Sequence, residues 1–174
     1  MKVVIINGAP RSGKDTFVNL CKEKLGSFCY NFSTVDFVKE IAKQCGWDGE
    51  KTPNNRKFLS DLKDLLTDWN DVPYRKMRQE LAKIYLMAEQ YNLDHDKFVV
   101  FIHCREPEEI ARFVKDYNAT SLIIRRPEVE DAIQSNHADR RVFDYDYKVT
   151  IFNDDTIERL KLSADFFLEN LLKS

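Results

Sequence analysis

The sequence predicts an α/β fold in which helices pack on both faces of a parallel sheet, and three observations carry that expectation. Short apolar runs alternate with amphipathic helical patterns from end to end of the 174 residues, the order that strand-helix-strand units require. The run from Phe98 to Ile102 is apolar without alternation, as in a strand buried on both faces. A glycine-containing turn separates the first apolar run from the first helical pattern, and open α/β sheets bind ligands where strands lead into such turns.

Five runs read as strands: 2–7, 28–32, 97–102, 120–125 and 147–152. Helices follow from spacing. Phe37, Val38, Ile41 and Cys45 share one face near 35–45, and Phe58, Leu62, Leu65 and Trp69 share one near 56–69. Met77, Leu81, Ile84, Ala88 and Tyr91 form a stripe near 75–91, and Ile157, Leu160, Ala164, Phe167 and Leu171 form the last one. Asn153, Asp154 and Asp155 are the candidate caps of that last helix. Each stripe is expected to face the core. More than sixty residues with three helical patterns lie between the second and third strands, far beyond an ordinary crossover. The chain therefore reads as one domain, 1–174, with a helical insertion at about 33–95 that covers one side of a site at the strand ends.

Composition narrows the function. With 27 Lys and Arg against 29 Asp and Glu, the net charge is −2, which argues against a nucleic-acid-binding role or recruitment to an anionic membrane. No apolar stretch approaches the roughly eighteen residues a membrane span needs, and the opening run, Val3–Ile6, is too short for a signal peptide. Cys21, Cys29, Cys45 and Cys104 are scattered without metal-ligand spacing, and are expected to be reduced core thiols of a cytoplasmic protein.

The chemistry is concentrated in Gly8-Ala9-Pro10-Arg11-Ser12-Gly13-Lys14-Asp15-Thr16, between the first strand and a helical pattern. This is the spacing of a phosphate-binding P-loop, GxxxxGK. Its glycines let several amides point at one phosphate, the helix N-terminus adds partial positive charge, and Lys14 supplies a full one. Asp15 stands where a Ser or Thr hydroxyl would usually ligate Mg²⁺, and Thr16 is rotated about 100° around the helix from that place. Asp15 either holds the metal, directly or through water, or complements the helix dipole.

The third strand ends in His103-Cys104-Arg105-Glu106-Pro107-Glu108-Glu109, with no Asp of the kind that commonly organises Mg²⁺ at such a strand end. Arg105 is placed to clamp an acceptor phosphate, or else to pair with Glu106 or Glu109. Arg125-Arg126 and Arg140-Arg141 flank a polar stretch with Ile133, Gln134, Asn136, His137 and Asp139. That stretch, about 126–142, reads as a lid that brings arginines over a bound nucleotide.

These residues resemble nucleoside-monophosphate-kinase-type P-loop proteins, most of all the deoxynucleoside monophosphate kinase and phosphomevalonate kinase branch. The resemblance rests on RSGKDT at 11–16, GWDGEKTPNNRKFLSDL at 46–62, REPEEIARF at 105–113, NHADRR at 136–141 and YKVTIFND at 147–154. It implies the three-layer α/β/α fold of P-loop NTPases, with a five-stranded parallel sheet of order 2-3-1-4-5. It implies that Gly8 through Thr16, among them Arg11, Ser12, Gly13, Lys14 and Asp15, hold ATP, with Asp15 at the Mg²⁺. Asp36, Arg56 and Arg105 would meet the acceptor, and Arg140 would reach across the transferring group. The expected activity is ATP- and Mg²⁺-dependent phosphotransfer to a small phosphorylated acceptor, foremost a (deoxy)nucleoside monophosphate. The alternatives are a nucleotide-binding module without phosphotransfer, or a kinase for a non-nucleotide phosphate such as phosphomevalonate.

Overall fold

The structure, a computed structural model, describes residues 1–130 and 141–173. Strands β1 (Lys2–Asn7), β2 (Cys29–Ser33), β3 (Val99–His103), β4 (Thr120–Arg125) and β5 (Val149–Phe152) form one sheet. Every pairing is parallel and the order is β2-β3-β1-β4-β5. The helices are α1 (Lys14–Leu25), α2 (Asp36–Gln44), α3 (Pro53–Asn70), α4 (Val72–Gln90), α5 (Pro107–Tyr117), the single turn α6 (Pro127–Glu130) and α7 (Ile157–Lys173).

Side chains of β1 alternate between two apolar layers. Val4 and Ile6 pack with Phe17, Val18 and Cys21 of α1 and with Leu160, Phe167 and Leu171 of α7. Val3 and Ile5 pack with Met77, Leu81 and Ile84 of α4 and with Ile110 and Phe113 of α5. Both faces of the sheet are thus covered, which is why its inner strands carry no polar alternation. β1 lies between β3 and β4, so the chain leaves the sheet in opposite directions on its two sides. That reversal opens a crevice at the carboxyl ends of the strands.

The α2–α4 block fills the long connection, but α3 corrects one expectation. Phe58, Leu65 and Trp69 are exposed, Trp69 to 75%. The helix is rolled so that Asn55, Arg56, Leu59, Ser60, Leu62, Lys63, Leu66 and Thr67 are its partly covered residues. The inward face is therefore half polar, because Arg56 and Lys63 are drawn toward the strand ends at the expense of the apolar stripe. Smaller corrections come from helix ends. Cys45 and Tyr91 follow the last turns of α2 and α4 and are exposed, as is Ile157 in the first turn of α7. The start of α7 is capped by none of the three expected residues: the Thr156 hydroxyl accepts the Arg159 N–H at 3.3 Å. All four cysteines are unpaired thiols, with Cys21, Cys29 and Cys104 buried.

Candidate functional site

After Asn7 the backbone turns through Gly8 (φ 146°), Arg11 (φ 65°) and Gly13 (φ 96°) into α1. A Cβ on Gly8 would collide with the Ile124 carbonyl, and one on Gly13 with the Asn153 amide, so both positions need glycine on two counts. α1 begins without a side-chain cap, which leaves its first amides directed at the loop's hollow, where an anion would satisfy them. Lys14 folds back over the loop, its Nζ donating to the Gly8 carbonyl at 2.6 Å and the Ala9 carbonyl at 2.8 Å. Ser12 is buried, and its carbonyl accepts the Asn153 Nδ2 at 2.9 Å from the end of β5.

The charges here are mutually unfavourable. Lys14 is lowered from 10.5 to about 8, chiefly by burial, then by the Arg105 charge, with Asp15 opposing. Arg105 is likewise held below the ordinary arginine range by burial and then by Arg56, with Glu106 opposing. Three cations, from the loop, the end of β3 and the start of α3, are thus linked in series, Arg105 acting on Lys14 and Arg56 on Arg105. Arg56 is steadied there by its Nε donating to the Lys51 carbonyl at 3.1 Å. Partly covered cations brought near one another in this way suit a polyanion.

Asp15 is almost fully exposed, with its Oδ1 3.8 Å from His103 Nε2. That imidazole nitrogen is buried and has no hydrogen-bond partner among the described residues. Burial lowers the His103 pKa, against the pull of Asp15, so the ring is neutral at physiological pH. Asp36 lies near enough to His103 to raise its pKa, but its carboxylate serves its own turn, accepting Ser33 N–H at 2.7 Å and Lys39 Nζ at 3.2 Å. Among the described residues no group of three or more His, Cys, Asp and Glu could hold a metal by itself.

Beside the loop, Arg11, Gly13, Thr16, Arg126, Ile157 and Leu160 line a cleft of about 370 Å³. Of the arginines assigned to the lid, Arg126 reaches this cleft, whereas Arg125 is paired with Glu130 and stacked at 4.9 Å over Phe143. Arg141 is held by Glu108 of α5 at 2.6 Å. Arg140, with Ile133, Gln134, Asn136, His137 and Asp139, lies outside the described residues. Sequence reasoning gave no site role to Asn7, Lys63 or Tyr147, and it read Asn153 only as a helix cap and Glu109 only as an alternative partner of Arg105. Only Asn7 and Asn153 carried a signal, each being an amide directly at the end of an apolar run.

The fold and the loop together define a P-loop α/β protein. No family model matches the sequence, and no curated protein does either. Among solved structures, shikimate kinase from Aquifex aeolicus VF5 is similar over 98% of this chain and 97% of its own, at 14% identity and a TM-score of 0.48. No helix among the described residues is long and apolar enough to cross a membrane.

Proposed function

We propose that this chain is an ATP-dependent kinase that moves the γ-phosphoryl group of ATP onto the phosphate of a small acceptor, a (deoxy)nucleoside monophosphate. One observation carries the reading: Lys14 and Arg105 repel each other, and so do Arg105 and Arg56. The cation of the loop is therefore continuous with two guanidinium groups that the loop itself does not need. A loop that only bound a nucleotide would not call for them; a second phosphate, facing the first, would.

In this reading the amides from Gly8 to Thr16 and Lys14 hold the β- and γ-phosphates, and the cleft by Arg126, Ile157 and Leu160 takes the rest of the nucleotide. Arg56 and Arg105 hold the acceptor phosphate dianion. Asp15 is the residue that would hold Mg²⁺. The exposed carboxylate and the neutral His103 beside it fit a hard cation that draws most of its ligands from phosphate and water, and the ion would supply charge neutralisation to the transferring group. The protein residues position and screen, and no covalent intermediate is required. Arg140, from the segment read as a lid, would add charge over the γ-phosphoryl group.

The test is a coupled ADP-release screen across all common nucleoside monophosphates, ribo and deoxy, with phosphomevalonate included. Turnover with one acceptor class supports the reading and names the class. The second reading, a nucleotide-binding module without transfer, is favoured by His103 and Cys104 at the end of β3, where a carboxylate would commonly stand. ATP binding without turnover on any acceptor would select it.

A further inference from the structure

At the end of the central strand one buried amide joins three segments of chain. Asn7 is 1% exposed and closes a strand whose four preceding residues are apolar. A primary amide in such a place is unfavourable unless its polar atoms are partnered. Its Oδ1 accepts the Gly8 N–H at 2.8 Å, and its Nδ2 donates to the Tyr147 hydroxyl at 2.6 Å and toward the Arg105 carbonyl at 3.4 Å. The Tyr147 hydroxyl in turn donates to the Val142 carbonyl at 2.9 Å.

The partners fix every polarity in this chain of bonds. Gly8 N–H can only donate, and the Arg105 and Val142 carbonyls can only accept, so the amide has one orientation. The phenol must then receive from Asn7 and give to Val142. Burial pushes the Tyr147 phenol well above its ordinary range, so the proton it gives stays on it. Backbone pairing from β1 to β3 extends to the Cys104 N–H, which donates to the Ile6 carbonyl at 3.3 Å. The Asn7 side chain adds one further rung, on Arg105.

We infer that Asn7, backed by Tyr147, is a positioning residue that sets the start of the phosphate loop and Arg105 at a fixed separation. This rests on the kinase reading, in which donor phosphates lie on the loop and the acceptor phosphate on Arg105. Transfer needs the reacting atoms about 3–3.5 Å apart and in line. Asn7 touches neither substrate. It acts on their separation, through one backbone group of each binding element, while Tyr147 fastens it to the turn Arg141–Phe143.

The experiment measures kcat, acceptor KM, ATP Kd by calorimetry and thermal melting for Tyr147→Phe, Asn7→Ser and the double variant. Tyr147→Phe should lower kcat about tenfold and Asn7→Ser more, with ATP Kd and acceptor KM within about threefold of wild type, as expected when alignment rather than binding is lost. The double variant should be no worse than Asn7→Ser, because both break one chain of bonds. Wild-type kcat in Tyr147→Phe, additive losses in the double variant, or losses of kcat matched by losses of ATP affinity would each overturn the inference. If Asn7→Ser does not fold, Tyr147→Phe decides by its kcat and Kd alone. A wild-type chain that binds ATP yet turns over no acceptor removes the kinase reading instead, and the positioning role with it.

Discussion

Lys14 is held in the structure at the expense of stability, and Lys14→Met measures by how much. Its pKa falls from 10.5 to about 8, first through burial and then through Arg105. At about 1.36 kcal/mol per unit, the folded protein disfavours the ammonium by about 3 kcal/mol relative to the unfolded chain. Methionine keeps the length and the helix propensity but gives up the bonds to the Gly8 and Ala9 carbonyls. Losing those bonds costs about 1 kcal/mol, since water at the crevice mouth replaces part of them. At pH 7 without nucleotide, Lys14→Met should therefore be more stable than wild type by about 1–2 kcal/mol, while ATP binding is lost. The sign with pH follows from a native pKa below the unfolded one. Between pH 8 and 10.5 the unfolded wild type holds a proton that the native state has released, so wild-type stability rises with pH there. The advantage of the variant should shrink through that window by up to about 3 kcal/mol and stay flat below it. Urea unfolding of both proteins at pH 7, 8, 9 and 10 reads the difference, in which other titrating groups cancel. A difference independent of pH, or a variant markedly less stable at pH 7, would refute the account of a destabilised lysine.

Arg56→Ala and Arg105→Ala should each raise acceptor KM or lower turnover by roughly 1.5–3 kcal/mol, with ATP affinity within a few-fold; steady-state kinetics beside calorimetry separate the two, and a loss of ATP affinity alone would move that arginine out of the acceptor site. Asp15→Asn should shift the Mg²⁺ requirement to higher concentration and lower kcat, so an unchanged Mg²⁺ titration would leave Asp15 only the helix start. Gly13→Ala forces a Cβ against Asn153 at a left-handed φ and should weaken ATP binding at least tenfold; undiminished affinity would mean that the loop does not take this shape. Trp69→Ser, at an exposed position, should change unfolding stability by no more than about 0.5 kcal/mol, whereas a loss of several kcal/mol would return Trp69 to the core.

The sheet and the loop were legible in the sequence because both are local. Val3–Ile6 and Phe98–Ile102 report burial on two faces by the absence of alternation, and the glycines of the loop are demanded by φ angles and close approaches within a few residues. The facing of α3 was not legible, since spacing groups Phe58, Leu62, Leu65 and Trp69 onto one stripe but cannot say which way a helix rolls. The roll is decided by Glu109, 46 positions away, which takes Lys63 inward at 2.7 Å. Asn7 and Tyr147 escaped for the same reason: their meeting spans 140 positions, and neither lies within the GxxxxGK spacing. Arg105 was placed by its position at a strand end and Arg56 by resemblance, and the electrostatic influence of one on the other is a reason of a different kind for pairing them.

The Lys63–Glu109 ion pair also has a consequence for how the molecule opens. α3 has no fully buried residue and lies against α2 and α4, and this pair, with both side chains about nine-tenths covered, ties it to α5. Breaking it strands two charges beside the Cys104 thiol, at the margin of one apolar layer, while the other layer is left untouched. Amide protons of α3 should therefore exchange with solvent through a partial opening of lower free energy than the global unfolding that releases those of β1 and β3. An acceptor held between Arg56 and Arg105 would span that opening from its other end, and the slowing of exchange on its arrival would appear in α3 ahead of every other helix.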